Sequence, residues 1–292
     1  MAFPTSPSNN QVHKEGNRTF VFDSATSVWD RVREVDSSNS NNDIQSGTIG
    51  PLVTGGAGLV TTPLSHRNLI INGAMNVAQR GSSSTTGLGY ATVDRFKTNS
   101  SGIGAPSYEQ SSITDLDGFS NSWKHTYTPT TTSVGSAGYQ VASYLVEAQD
   151  LQRFVTDSGA AGCKAMTLSF YVKSSWADTF YTLLESADGT SRKNSFPYTT
   201  LANTWQRVEH NIPADSVVQF DNNTNIGLDI TWWLAAGSNF CGGTGVGAGT
   251  WSNYTNVNQN CVDDPGFSTN GRTWEITGVQ LELGSTATPF EH

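Results

Sequence analysis

The stretch TWEITGVQLELGSTATPFEH, residues 273–292, reads as a β-strand with a fault in it. Trp274 and Ile276 share one face, whereas Val279, Leu281 and Leu283 share one face after Gly278. Side chains alternate along a strand, so the register must slip by one residue near Gly278, the mark of a β-bulge. A strand so apolar on one face is zipped into the interior of a sheet. The remaining residues must say which sheet it completes.

Composition points the same way. Only 14% of the 292 residues are charged, and Gly occurs 29 times among many Ser, Thr and Asn. Those residues are indifferent or poor helix formers and supply turns and short-side-chain strand surfaces. From Asn68 onward, strand-like runs recur with turn signals between them: NLIINGAMNVAQ, YATVDRFKT, AMTLSFYVKSS, FYTLLES, TWQRVEHNI, IGLDITWWLAAGS and the closing segment. That spacing predicts a β-sandwich in an all-β chain. One amphipathic turn is expected in EAQDLQRFV, where Ala148, Leu151, Phe154 and Val155 follow helical spacing.

The formal net charge is −9, and no Lys/Arg cluster is present, which argues against a phosphate-tracking nucleic-acid surface. No secretory signal is expected from MAFPTSPSNN, and no apolar run approaches the ~20 residues of a membrane span. Cys163, Cys241 and Cys261 are too scattered for a zinc cluster or a disulfide framework. Cys241 and Cys261 either close the Gly/Asn-rich loop between them or stay as thiols.

Three regions are expected. Residues 1–35 hold a hairpin, with Thr19 to Phe22 and Val28 to Val32 as strands and Asp23 to Thr26 as turn. Two strands alone bury too little apolar area for stability, so Phe20, Phe22 and Trp29 need a partner to dock on. Residues 36–67 form an extended Gly/Ser/Asn-rich arm. Residues 68–292 form the sandwich.

Alternation sorts the strands into faces. In AMTLSFYVKSS, Leu168, Phe170 and Val172 oppose Ser169, Tyr171 and Lys173. In GLDITWWLAAGS, Leu228, Ile230, Trp232 and Leu234 oppose Asp229, Thr231 and Trp233. Beyond the bulge, Gln280 and Glu282 oppose Val279, Leu281 and Leu283. A polar face bearing aromatics suits a sugar, which takes an aromatic plane against its C–H face and hydrogen bonds at its edge. Tyr171, Lys173, Asp229, Trp233, Gln280 and Glu282 are the candidates, joined by Trp251 and Tyr254 from the loop GTWSNYTN, since loop aromatics on a rigid sandwich commonly reach partners. The competing reading covers these aromatics with a loop or a second subunit. Trp205 and Trp274 are expected in the core. Paired carboxylates across a cleft, Gly-x-Ser-x-Gly and His-Glu-x-x-His are not visible in the sequence, so no catalytic residues are assigned and no enzyme is expected. GGTGVGAG reads as a flexible loop.

NLIINGAMNVAQRG, the Tyr-x-x-x-Asp-Arg-Phe of YATVDRFKT, EAQDLQRFV, MTLSFYVKSS, TWQRV, GLDITWWLAAGS and WEITGVQLELGSTATPFEH occur in that order. Together they resemble a recurrent module of bacteriophage virion proteins, met in tail-fibre and other host-facing structural proteins, over about Asn68 to His292. The N-terminal Pro-x-x-Pro and Phe-x-Phe-Asp ahead of Trp29 is similar to fibre attachment segments. The resemblance implies a jelly roll like those of non-catalytic carbohydrate-binding modules, on a virion-anchoring N-terminus. It implies a fibre or receptor-binding component touching host-surface glycans, made in the host cytoplasm, exposed on the virion and assembled as a homotrimer with other virion proteins as partners. The alternative is a capsid decoration or fibre-base protein that binds only other virion proteins. No cofactor is expected beyond a structural Ca²⁺, for which the resemblance offers Asp94 and Glu282.

Overall fold

The computed structural model describes residues 5–9, 11–15, 18–25, 27–32, 66–84, 88–104, 106–128, 134–156, 161–243, 246–255 and 269–292. The chain divides into two compact units, Met1–Leu59 and Val60–His292. The arm expected over residues 36–67 lies outside the described residues as far as residue 65, and so does Cys261.

The first unit is an antiparallel meander of β1 (Val12–Glu15), β2 (Arg18–Asp23) and β3 (Val28–Val32). Strands β2 and β3 occupy the two runs expected to pair, with Phe22 opposite Trp29. Strand β1 was not legible, because VHKE offers four residues and a single aliphatic side chain. It sets His13 opposite Phe20. Asp23 accepts the Ala25 N–H at 2.8 Å and so stabilises the β2–β3 turn.

The second unit is an all-β jelly-roll sandwich of two six-stranded sheets. Its strands are β4 (Ser83–Ser84), β5 (Phe96–Ser101), β6 (Ser107–Ser112), β7 (Asn121–Thr126), β8 (Tyr139–Glu147) and β9 (Met166–Ser174). They continue with β10 (Asp178–Ser186), β11 (Arg192–Thr200), β12 (Gln206–Ile212), β13 (Ile226–Ala236), β14 (Trp251–Asn253) and β15 (Thr273–Leu283). The first sheet runs β14-β11-β10-β13-β8-β5 and the second β12-β9-β15-β7-β6-β4. A 3-10 turn, Ala148–Phe154, buries Ala148, Leu151 and Phe154 where the helical spacing placed them.

The closing strand is central in the second sheet, between β9 and β7. Thr277 pairs with Tyr171 but the next pair is Gln280 with Ser169, so β15 carries one residue more than its partner. Gly278 takes φ +61 there, and a Cβ added to it would stand 2.7 Å from the Phe119 ring. Only glycine fits both demands. The slip keeps Trp274, Ile276, Val279 and Leu281 all in the core at 0% exposure. Leu168, Phe170 and Val172 of β9 and Leu228, Ile230, Trp232 and Leu234 of β13 meet them from the expected faces. Each such burial stabilises by about 1.5–3 kcal/mol before conformational entropy is set against it.

NLIINGAMNVAQ is not a strand, contrary to its reading. It passes irregularly along β15 beyond the bulge, where Leu69 N donates to Leu281 O and Val279 N donates to Gly73 O. Asn68 adds its own amide, accepting from Ile70 N and Leu281 N and donating to Val279 O. Side-chain hydrogen bonding replaces a ladder here. In YATVDRFKT only the end is strand, since β5 starts at Phe96.

The end of the chain answers to this entry segment. The Glu291 carboxylate accepts from the backbone N–H groups of His66, Arg67 and Asn68, at 2.5, 2.6 and 3.1 Å. Arg153 donates to the His66 and Arg67 carbonyls, at 2.7 Å each. Three N–H donors and the Arg67 charge hold the Glu291 carboxyl below the usual carboxylate range, against its partial desolvation.

Candidate functional site

The outer face of the first sheet carries a cleft of about 280 Å³. Register builds it as three rows across strands that are remote in sequence. Asn99, Val141, Trp233 and Tyr181 form one row; Lys97, Ser143, Thr231 and Leu183 the next; Leu145, Asp229, Glu185 and Lys193 the third. The rows grade from aromatic to polar to charged. At the aromatic end the 3-10 turn Ser238–Phe240 folds its Phe240 ring 5.3 Å from Trp233 and 5.5 Å from Tyr139. Tyr254, following β14, lines the opposite side.

Trp233 is therefore the floor of the cleft rather than an open platform. It is only 4% exposed, packed with Val141, Leu183 and Ala236, and its indole N–H has no hydrogen-bond partner. The half-buried rings of Tyr139, Phe240 and Tyr254 are the ones presented to solvent.

Beside them lies a polar relay. Ser143 Oγ is 3.0 Å from Thr231 Oγ1, which donates to Asp229 Oδ1 at 2.8 Å. Glu185, directly opposite Asp229, accepts from Ser191 Oγ at 3.1 Å. Burial raises the Asp229 carboxyl, opposed by the Thr231 hydrogen bond and Lys97. Burial also raises Glu185, and the Asp229 charge adds to it, while Ser191 and Lys193 act the other way. Burial, then Glu185 and Asp229, raise the Tyr254 hydroxyl. Desolvated carboxylates and hydroxyls in a walled groove can donate and accept in turn, as a polyhydroxylated ligand requires.

The structure brings together only some of the sequence candidates. Asp229, Trp233 and Tyr254 share this cleft, and its further lining residues Tyr139, Glu185 and Phe240 were missed, as was Tyr181, which packs against the Trp233 cluster. Trp251 is not on a loop. It is in β14, buried in the main core, with Nε1 donating to the Pro213 carbonyl at 2.9 Å. Tyr171 and Lys173 lie on the second sheet, so they do not join Asp229. The Tyr171 ring packs 5.2 Å from Phe119, and Lys173 pairs with Asp115 and Glu275. Gln280 and Glu282 are buried under the tail. Glu282 accepts from Thr288 N and Oγ1 at 2.8 and 2.7 Å, and Gln280 accepts from Glu291 N at 2.9 Å. Trp205 is not core either, because it is partly exposed, its Nε1 bonded to Asp115 and its ring 4.9 Å from the Lys173 ammonium. Trp123 and Trp176 are both buried.

Among the described residues, no group of three or more His, Cys, Asp and Glu could hold a metal ion. Of the calcium candidates, Asp94 accepts from Gln79 N and lies 3.6 Å from Arg80, and Glu282 is engaged by Thr288. On the first unit, Phe20, Phe22 and Trp29 are half-buried, with ring centroids of Phe22 and Trp29 5.3 Å apart and His13 5.8 Å from Trp29.

No protein-family model matches the chain, and no curated protein matches it. Among solved structures, it is similar to carbohydrate-binding modules with a β-sandwich fold. One is a CBM4 module, at 10% identity and a TM-score of 0.36, covering 74% of this chain and 99% of that one. A second is the family 11 module of the Clostridium thermocellum cellulase Lic26A-Cel5E, at 13% identity and 0.36, covering 70% and 100%. A third is the CBM22-1 xylan-binding domain of Paenibacillus barcinonensis Xyn10C, at 10% identity and 0.31, covering 71% and 95%.

Proposed function

We propose that the sandwich binds a glycan along the outer face of its first sheet without cleaving it, as the host-facing part of a phage virion fibre. The observation that carries the binding is the cleft itself, in which aromatic rings flank a relay of hydroxyls and two half-buried carboxylates standing opposite each other. A sugar ring would lie against Tyr254 or the Phe240 and Tyr139 pair, with its hydroxyls on Asp229, Glu185 and Asn99. The virion assignment is supported by the sequence resemblance, and the aromatic face of the first unit, with Phe20, Phe22 and Trp29, is its proposed anchor on other virion proteins. Trimerisation would multiply a weak single-site affinity.

The whole chain on a glycan array, followed by calorimetry on the hits, tests the binding. Tyr254→Ala and Asp229→Asn are each expected to weaken a hit by about tenfold or more with the melting temperature held. A blank array, or hits that both variants leave intact, would remove the cleft from consideration. Released oligosaccharide would make the protein an enzyme. Antibody labelling of intact particles tests the virion placement, and particles without label would end it.

A further inference from the structure

Along the same face, past Leu145, lies a second cavity of about 370 Å³ whose wall includes Arg80, Tyr90, Arg95, Glu147 and Ile226. Leu145 lines this cavity and stands opposite Asp229, which lines the cleft, so the two hollows adjoin on the sheet. Electrostatics join them as well. Burial raises the Tyr90 hydroxyl, and it feels Arg95 and Asp229 together.

The two guanidinium groups are held differently. Arg80 is largely exposed, 6.0 Å from the Tyr90 ring centroid, with Asp94 at 3.6 Å as its ion-pair partner. A guanidinium carries five donors, so one loose pairing leaves most of them available. Arg95 sits 5.9 Å from the Tyr144 ring centroid, in cation–π range. Its backbone takes φ +74, a left-handed conformation uncommon for a non-glycine residue, immediately before β5. Glu147 is engaged by Gln149 Nε2 at 2.9 Å. Tyr90 and Ile226 keep 41% and 43% exposure, which supplies an open ring and an apolar edge.

We infer that this cavity takes the anionic group, a carboxylate or a sulfate ester, of one acidic sugar in a glycan whose neutral residues lie along the cleft. The inference rests on the cleft reading. Planar guanidinium forks bind such groups through two parallel N–H donors, and Tyr90 offers its face to the sugar ring. A continuous polyanion is disfavoured, because Asp229 and Glu185 occupy the adjoining row. The ligand is neutral along most of its length and acidic at one end or branch.

Matched pairs test this on the whole chain: lactose against 3′-sialyllactose and lactose 3′-sulfate, and xylo-oligosaccharides with and without a glucuronic acid branch. At least one acidic member is expected to bind about tenfold or more tighter than its neutral parent at low salt. The advantage should shrink in 0.5 M NaCl, and which acidic member gains separates carboxylate from sulfate. Arg80→Gln, at a largely exposed position, should bring the acidic member down to the neutral value and leave the neutral one unchanged. Arg95→Gln should repeat this. Equal binding of neutral and acidic members, or an Arg80→Gln loss that falls on both alike, overturns the inference while the cleft reading stands. If no member binds and the array is blank, both fall.

Discussion

The two outer faces of the sandwich start from the same pattern and end differently. The central strands β9, β13 and β15 send polar side chains, and β9 and β13 an aromatic one as well, away from the main core. On the second sheet the chain covers several of them itself: residues 288–291 close over Gln280 and Glu282, Phe119 packs on Tyr171, and Asp115 and Glu275 take up Lys173, while Tyr171 and Trp205 still border a hollow. On the first sheet Asp229, Glu185 and the rings of Tyr139, Phe240 and Tyr254 line an open groove. Alternation identifies what leaves the core. Whether the chain returns to cover it is decided by segments far away in sequence.

Acid should separate the two sheets most strongly. The second sheet carries His125, fully buried among Tyr108, Trp123 and Trp274 with neither ring nitrogen hydrogen-bonded, its pKa lowered by burial to about 3. It also carries His210, stacked on Phe196 and lowered by burial to about 4. Between these values and about 6.5 the unfolded chain binds protons that the folded one does not. Stability therefore falls on acidification through that window, by up to about 1.4 kcal/mol per pH unit for each histidine. Asp229 and Glu185 of the first sheet have raised pKa values, so the folded chain binds their protons first. They favour the folded state at low pH, and that contribution is lost as pH rises through their folded values. Urea midpoints at pH 7 and pH 5 should fall with acid, less steeply in His125→Phe and more steeply in Asp229→Asn. Unchanged slopes would mean that the two sheets titrate alike.

Removing one carboxylate from each sheet gives the next contrast. Glu282→Ala leaves the Thr288 and Gln280 donors without their acceptor in a buried position and should destabilise by about 2–4 kcal/mol, with glycan affinity retained in the folded fraction. Asp229→Asn should stay within about 1 kcal/mol by thermal unfolding, because burial already disfavours its charge. The smallest effect belongs to Tyr171→Ala, about 1 kcal/mol from lost ring packing and no change in ligand affinity. A loss of affinity there would transfer the site to the second sheet.

Strands with long unbroken alternation were legible. These are β9, β13 and β15, whose core residues and bulge stand where periodicity and Gly278 put them. Strands β6, β7, β8 and β11 were not, because their inward positions include polar side chains. His125 in β7, Gln140 in β8 and Asn194 in β11 are buried at or near 0% exposure, which erases the oily-and-wet rhythm. Trp251 looked like a loop residue for want of three flanking apolar positions, yet its single indole anchors β14. The cleft was half legible. Alternation placed Asp229 and Trp233 outward, but their neighbours Glu185, Val141 and Tyr181 come from other strands through register, which no local spacing encodes.

The Glu291 carboxylate has a mechanical consequence. It grips three amides at residues 66–68, ahead of every described strand of the sandwich, so a pull applied at His66 loads that grip before it loads those strands. Peeling would first have to strip residues 66–68 from one side chain, in the manner of a fuse upstream of a circuit. Under tension the fold should therefore yield in two steps, a short release at this seam and then rupture of the sheets.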